Sequence, residues 1–482
     1  MIATLTRDIS RDPARHEDYA AFIRRKSQLG GDGGFAPVWV PDFLFDFQRA
    51  LIEWACRKGR AAIFADCGLG KTPMQLVWAE NVRRRTDKPV LVITPLAVSS
   101  QTVREGEKFG IECHQSRDGA VHPGITVTNY EQLHRFDPSA FAGAVADESS
   151  AIKAFDGKRR KEVTRFVSKM QYRLLATATP SPNDYVELGT SSECLGVMTQ
   201  SDMLGFFFRP TENMRHTVLK EDDFWNRLKW HFKPHSEQPF WRWVTSWSRA
   251  LRSPADLGFD ASRFELPPLE YREHVLDVPF IPDGELFPRP AISLHEQRKE
   301  RRRTVRERCE RVRQLVTGHD RPAVIWCHYN DEGDCLEEII PGAVQVAGRH
   351  SDDEKEVRLN AFTLGQARVL VTKPKIGAWG LNWQHCGDVT CFPSHSYEQF
   401  YQAVRRCWRY GRRGPVTVDI VSAKGESGVV GGLRRKQEKA DRMFASLVAH
   451  MNNSIEMFST DGHTRPISVP AWLGQSERSE QQ

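Results

Sequence analysis

The stretch "AAIFADCGLGKTPMQLVWAENVRRR", residues 61–85, decides the fold. A short apolar run leads into a glycine-bearing turn, and a long helix-forming segment follows. Strand, loop and helix in that order are the context a phosphate-binding loop requires. Gly68 and Gly70 let backbone amides close on phosphate oxygens without a Cβ in the way. Lys71 is then expected to reach the β- and γ-phosphates, and Thr72 to ligand Mg²⁺. Ala65 stands where such a loop usually carries its first glycine.

A nucleotide site of this kind also needs a carboxylate at a strand end. "AGAVADESS" (142–150) supplies Asp147 and Glu148 directly after a run of small apolar residues. Asp147 is expected to hold Mg²⁺ through water, and Glu148 to orient and deprotonate the attacking water. An isolated Asp-Glu pair is ordinarily surface charge. Its place behind a buried strand, downstream of a phosphate loop, reverses that reading.

Further runs extend the pattern: "PVLVIT" (89–94), "GITVT" (124–128) and "RLLATA" (173–178). A second series follows, with "PAVIWC" (322–327), "AVQVA" (343–347), "RVLVT" (368–372), "DVTCF" (388–392) and "VTVDIV" (416–421). Short, partly β-branched and not alternating, they suit buried parallel strands with helical crossovers. The expected fold class is α/β, two tandem parallel-sheet lobes with a helical insertion and a C-terminal helix, lobes that the resemblance given below implies to be RecA-like.

The boundaries read as an N-terminal appendage over 1–40, lobe one over 41–200 and an aromatic-rich helical insertion over 201–265. Lobe two then covers 266–425, and a brace helix with a disordered tail covers 426–482. The insertion ("GFFFRP", "DFWNRLKWHF", "PFWRWVTSW") is expected to pack its own aromatics, base stacking being the alternative. Residues 295–313 read as a charge-dense linker helix.

Composition agrees with a chain of this kind. The 482 residues carry a net charge of +6, which is compatible with a polyanionic partner. Ten scattered cysteines show no zinc-site spacing and suit a reducing cytoplasm. No run reaches the roughly 18 apolar residues of a membrane span, and no signal core is read at the N-terminus. No PD…ExK or HNH nuclease motif is present.

The order of motifs resembles helicase superfamily two, and within it the Swi/Snf-like double-stranded-DNA translocases, over roughly residues 41–445. "FDFQRALIEW" (45–54) resembles the glutamine motif, which implies that Gln48 reads the adenine edge. "VLVITPLAVSS" (90–100) is similar to the family's first nucleic-acid contact, centred on Thr94 and Pro95. "ITVTNYEQL" (125–133) resembles the Swi/Snf-like TYE segment. "LLATATPSPND" (174–184) resembles the motif that couples nucleotide state to DNA grip, through Thr177 and Thr179. "KIGAWGLNWQHC" (375–386) is similar to the motif whose Gly380 and Asn382 sit between the lobes. The "NWQHC" ending and "SYEQFYQAVRRCWR" are similar to members common in bacteriophages and prophages.

"QAVRRCWRYGRRG" (402–414) completes the pattern. As a helix ending at Gly411, it gathers Gln402, Arg406 and Arg409 on one face. The family's QxxxRxxR motif implies that both arginines reach the γ-phosphate across the cleft. Arg405 falls on the flank, where related sequences often carry Gly or Asp, and its role stays open. Trp408 and Tyr410 read as packing against lobe two, and Arg412 and Arg413 as nucleic-acid contacts. DESS in place of DEAD or DEAH alters the contact to the coupling motif.

The resemblance implies a cytoplasmic DNA-dependent ATPase using ATP and Mg²⁺, moving on DNA, duplex in preference to single strand. Phage replication or recombination proteins would be further partners. The alternatives are an RNA helicase, or a nucleotide-switched recruitment or clamp subunit of a phage replication or restriction assembly.

Overall fold

The computed structural model describes residues 33–153, 157–210, 230–278, 294–377 and 381–459. The 1–32 part of the appendage, most of the tail and Gly380 therefore lie outside the described residues.

The first sheet collects β1 (Arg60–Ala65), β2 (Val90–Thr94), β3 (Cys113–Gln115), β4 (Ile125–Asn129), β5 (Gly143–Asp147) and β6 (Tyr172–Ala176). A seventh strand, β9 (Ser248–Leu251), pairs parallel to β1 at its edge. The order is β3-β4-β2-β5-β6-β1-β9, parallel throughout. Between β6 and β9 a small antiparallel pair forms from β7 (Phe208–Pro210) and β8 (Trp230–Phe232).

Side-chain alternation explains why these runs are apolar on both faces. Along β1, Ala62 and Phe64 enter one core while Ala61, Ile63 and Ala65 enter the other. A strand covered by helices on both sides has no polar face to show in the sequence. Helix α1 (Asp46–Lys58) and helix α2 (Lys71–Thr86) cover one side. Helix α3 (Glu237–Trp247) covers the other with Phe240, Trp241 and Trp247 almost fully buried.

This changes the reading of 201–265. The segment was expected as a separate helical insertion, but α3 and β9 complete the first sheet and its core, carrying lobe one to Leu251. Most of its described aromatic residues pack in that core, Phe206 being exposed, while Phe224 and Trp225 lie outside the described residues. Phe240 meets Phe208, Phe232 and Trp243 with ring centres 5.3–5.7 Å apart.

The second sheet has six strands: β10 (Leu269–Leu276), β11 (Ala323–Trp326), β12 (Ala343–Val346), β13 (Val369–Thr372), β14 (Asp388–Cys391) and β15 (Val416–Ala423). Their order is β10-β15-β14-β11-β13-β12, again parallel. Two apolar clusters sandwich it, one of them containing Phe400 and Val404 of helix α4 (Tyr397–Val404).

Helix α5 (Ser427–Ser459) leaves lobe two and returns to lobe one. Val430, Leu433 and Ala440 sit in a lobe-two core, whereas Met443, Phe444 and Leu447 sit in a lobe-one core. Ion pairs mark the crossing: Arg252 to Asp441 at 2.7 Å and Lys439 to Asp184 at 2.5 Å. No described helix is long and apolar enough to cross a membrane.

Candidate nucleotide site between the lobes

The loop 66–70 joins β1 to α2. Gly68 (φ 91°) and Gly70 (φ 75°) both adopt left-handed backbone, which L side chains disfavour. A Cβ at Gly70 would lie 2.3 Å from Gln48 Nε2, so the loop also depends on glycine for space. No side chain caps α2, and its first N–H groups stay available to an anion. Lys71 folds its ammonium onto the loop, donating to the Ala65 carbonyl at 3.0 Å and the Asp66 carbonyl at 3.4 Å.

Gln48 is buried beside this loop. Its Oε1 accepts from the Phe45 amide at 3.1 Å, and its Nε2 donates to the Leu69 carbonyl at 3.0 Å. The residue expected to read a base thus braces the loop from α1.

Asp147 ends β5 and is buried. Gln75, one turn beyond Lys71 on α2, donates to its Oδ1 at 2.6 Å. Burial, and then the neighbouring Glu148, push its carboxyl up from 3.8 to about 6. No cation lies within ion-pairing distance of it among the described residues. A buried carboxylate of this kind suits a hard cation. No described group of three or more His, Cys, Asp or Glu could chelate a metal fully, so Mg²⁺ there would need phosphate and water to complete its shell.

Glu148 adopts left-handed backbone (φ 49°, ψ 54°), which costs a non-glycine residue about 1–2 kcal/mol. The turn aims its side chain at Thr177, whose hydroxyl donates to Glu148 Oε2 at 3.0 Å. The same hydroxyl accepts from the Thr179 amide at 3.0 Å. Thr177 therefore links the carboxylate to the end of β6. Ser149, Ser150 and Thr179 bury hydroxyls that find no partner among the described residues.

Lobe two approaches through α4. Ser396 caps its start, accepting from the Gln399 amide at 3.3 Å. The helix ends at Val404, not at the expected Gly411. Arg406 supplies the reason: its Nε takes the Gln402 carbonyl at 3.1 Å, and its own amide drops back to the Ala403 carbonyl. Trp383 then takes the Arg406 carbonyl. Arg406 and Arg409 consequently do not share a regular helical face. They still converge, each donating an Nη1 to the Leu381 carbonyl at 3.1 Å. Burial, and then Arg406 beside it, push Arg409 down to about 10. Gln402 is buried with both amide atoms unpartnered, and Asn382 is exposed next to Leu381.

Arg405 makes the direct contact with lobe one. Its Nη2 lies 2.8 Å from Asp66 Oδ2 and donates to the Cys67 carbonyl at 2.6 Å. The Tyr401 hydroxyl donates to Asp66 Oδ1. Tyr410, read as lobe-two packing, joins a lobe-one core instead, with its ring against Gly68 and its hydroxyl on the Arg252 carbonyl at 2.5 Å. Trp408 follows the expectation more closely, donating to the Pro267 carbonyl at 2.7 Å.

The four residues expected at nucleic acid are placed differently from one another. Thr94 is fully buried, its hydroxyl bonded to Ser99 at 2.8 Å and to the Thr128 carbonyl at 3.3 Å, so it shapes its loop without facing solvent. Pro95 beside it is half-buried and starts a short 3₁₀ turn. Arg412 turns onto its own loop, bonding the Gln384 and Pro415 carbonyls. Arg413 is exposed. Sequence reasoning missed Asp66, Gln75 and Tyr401. Gln75 had a signal, standing four residues after Lys71 and so on the same helix face.

Strand order, crossovers and paired sheets define two tandem α/β lobes of the RecA type. No family model matches the chain, and no curated protein matches it. Among solved structures it is similar to the Sulfolobus solfataricus SWI2/SNF2 ATPase core in complex with dsDNA, at 15% identity, TM-score 0.40, over 88% of this chain and 97% of that one.

Proposed function

We propose that the chain is a DNA-dependent ATPase that couples ATP hydrolysis between its lobes to movement along duplex DNA. One observation carries the catalytic half: Glu148 is held by Thr177 at the sheet end that also presents Lys71 and Asp147. Two lobe-two arginines, sharing a single carbonyl and with no ion pair among the described residues, add charge suited to a phosphoryl group. The nucleic-acid half rests on the motif resemblance and the positive net charge.

In this mechanism the loop amides and Lys71 bind the phosphates. Thr72 and Asp147 would hold Mg²⁺, which when bound neutralises phosphate charge. Glu148 accepts a proton from the attacking water, with Thr177 fixing its direction. Arg406 and Arg409 exchange the Leu381 carbonyl for oxygens of the transferring group. Thr177 and Thr179 pass the state of Glu148 to the chain leaving β6.

The test is steady-state ATP hydrolysis with duplex, single-stranded and forked DNA, and with RNA. Duplex DNA is expected to stimulate most. Lys71→Ala and Arg406→Ala are each expected to abolish the stimulated rate, and robust turnover by either variant overturns the assignment. Triplex displacement without duplex unwinding would separate a translocase from a strand-separating helicase. Nucleotide binding with no turnover on any nucleic acid would favour the clamp reading.

A further inference from the structure

Arg405 has no part in the reaction just described, yet it is the residue of 402–414 that hydrogen-bonds the phosphate loop. Its side chain is fully buried, and Asp66 opposite is nearly so. Both oxygens of the Asp66 carboxylate reach lobe two, and one also binds its own loop. Oδ1 accepts from the Cys67 amide at 2.6 Å and from Tyr401, while Oδ2 faces Arg405. The second Arg405 contact is the Cys67 carbonyl. The guanidinium therefore holds two successive residues of the loop, immediately before Gly68.

Three rings surround the charge, with Trp408, Tyr410 and Tyr401 centred 4.8, 5.4 and 6.0 Å from the guanidinium carbon. Arg405 Nε and Nη1 meet no carboxylate or carbonyl among the described residues. A buried charge with so little else to bond is strongly tied to its one anion, because separation leaves both charges without compensation unless water enters. An arginine in the core of a single lobe would have no reason to select an acid in the other. This one does, and its chain neighbour is Arg406.

We propose that Arg405 is a positioning residue for ATP hydrolysis: through Asp66 and Cys67 it docks the arginine segment of lobe two on the phosphate loop, setting the approach of Arg406 and Arg409. The proposal rests on the nucleotide-site reading above. It makes loop geometry and arginine placement one event, since the pair forms only when the lobes meet.

Two measurements on the full chain test it. In duplex-stimulated hydrolysis, Arg405→Gln should lower kcat on the order of 100-fold while KM for ATP stays within about threefold, the pattern of lost positioning. Asp66→Asn should match it, and the double variant should be no slower than the worse single variant. Arg405→Lys, which keeps the charge, should recover at least about tenfold of the loss. A kcat within about threefold of wild type for Arg405→Gln, or losses that multiply in the double variant, overturns the proposal.

The second measurement needs no turnover. Hydrogen exchange of the 63–72 segment without nucleotide should be faster in Arg405→Gln and Asp66→Asn than in wild type, with the β13 segment unchanged. Equal protection of 63–72 overturns the docking role. A wild-type chain that hydrolyses no ATP on any nucleic acid removes the nucleotide reading and the catalytic role of Arg405 with it. The exchange result then still decides whether Arg405 holds the loop.

Discussion

Asp147→Asn should make the protein more stable while disabling it. The wild-type carboxyl is buried and raised from 3.8 to about 6. The folded chain therefore binds this proton more tightly than the unfolded chain. Ionised Asp147 weakens the fold above the folded-state value, and that loss disappears as pH falls from about 6 towards 3.8. A rise of two units corresponds to about 3 kcal/mol at neutral pH. Asparagine removes the charge and keeps an oxygen for Gln75. Urea unfolding of wild type and variant, in chelator, should show the variant more stable by up to about 3 kcal/mol at about pH 7.5. The two should converge near about pH 4, where wild-type Asp147 is already neutral in the folded chain. ATP turnover should fall at least about 100-fold in the variant. A variant less stable than wild type at neutral pH would refute the reasoning, as would a difference that ignores pH.

Thr177→Val keeps shape but leaves the Thr179 amide and Glu148 unsatisfied, so stability should drop by about 1–3 kcal/mol and kcat should fall at saturating ATP. Denaturant titration and initial rates check both effects. Gly70→Ala forces a left-handed residue onto Gln48 and should cost about 1–2 kcal/mol from backbone strain alone. Loss of binding to a fluorescent ATP analogue is the readout. Trp247→Ala should cost about 3–5 kcal/mol by cavity formation, seen as a lower thermal midpoint. DNA affinity of the folded fraction should stay within about threefold, and a selective loss of affinity would return these aromatics to a base-stacking role.

The strands were legible because burial on both faces writes continuous apolar runs. β9 was not, because Ser248–Leu251 is short and carries an arginine, as an edge position permits. β10 is likewise an edge strand with mostly exposed residues, so its sequence "LEYREHVL" resembles no core run. At the site, the placement of Lys71 after β1 and of Asp147 and Glu148 at the end of β5 could be read because it follows from local order. Arg405 could not. A charged residue reads as surface unless its partner is known, and Asp66 lies in the other lobe. The end of α4 was misjudged for a related reason. Gly411 is a valid local stop signal, but an arginine side chain had already claimed the Gln402 carbonyl.

Helix α5 carries a mechanical consequence. The chain crosses from lobe one to lobe two after Leu251 and comes back along α5, whose two ends are rooted in different cores. A body tied to another at one point can swing about it in any direction. Tied at two points, it can only turn about the line that joins them. Opening and closing of the cleft would then follow one hinge axis, like a door, and α5 would fix the direction of each stroke before any nucleic acid is bound.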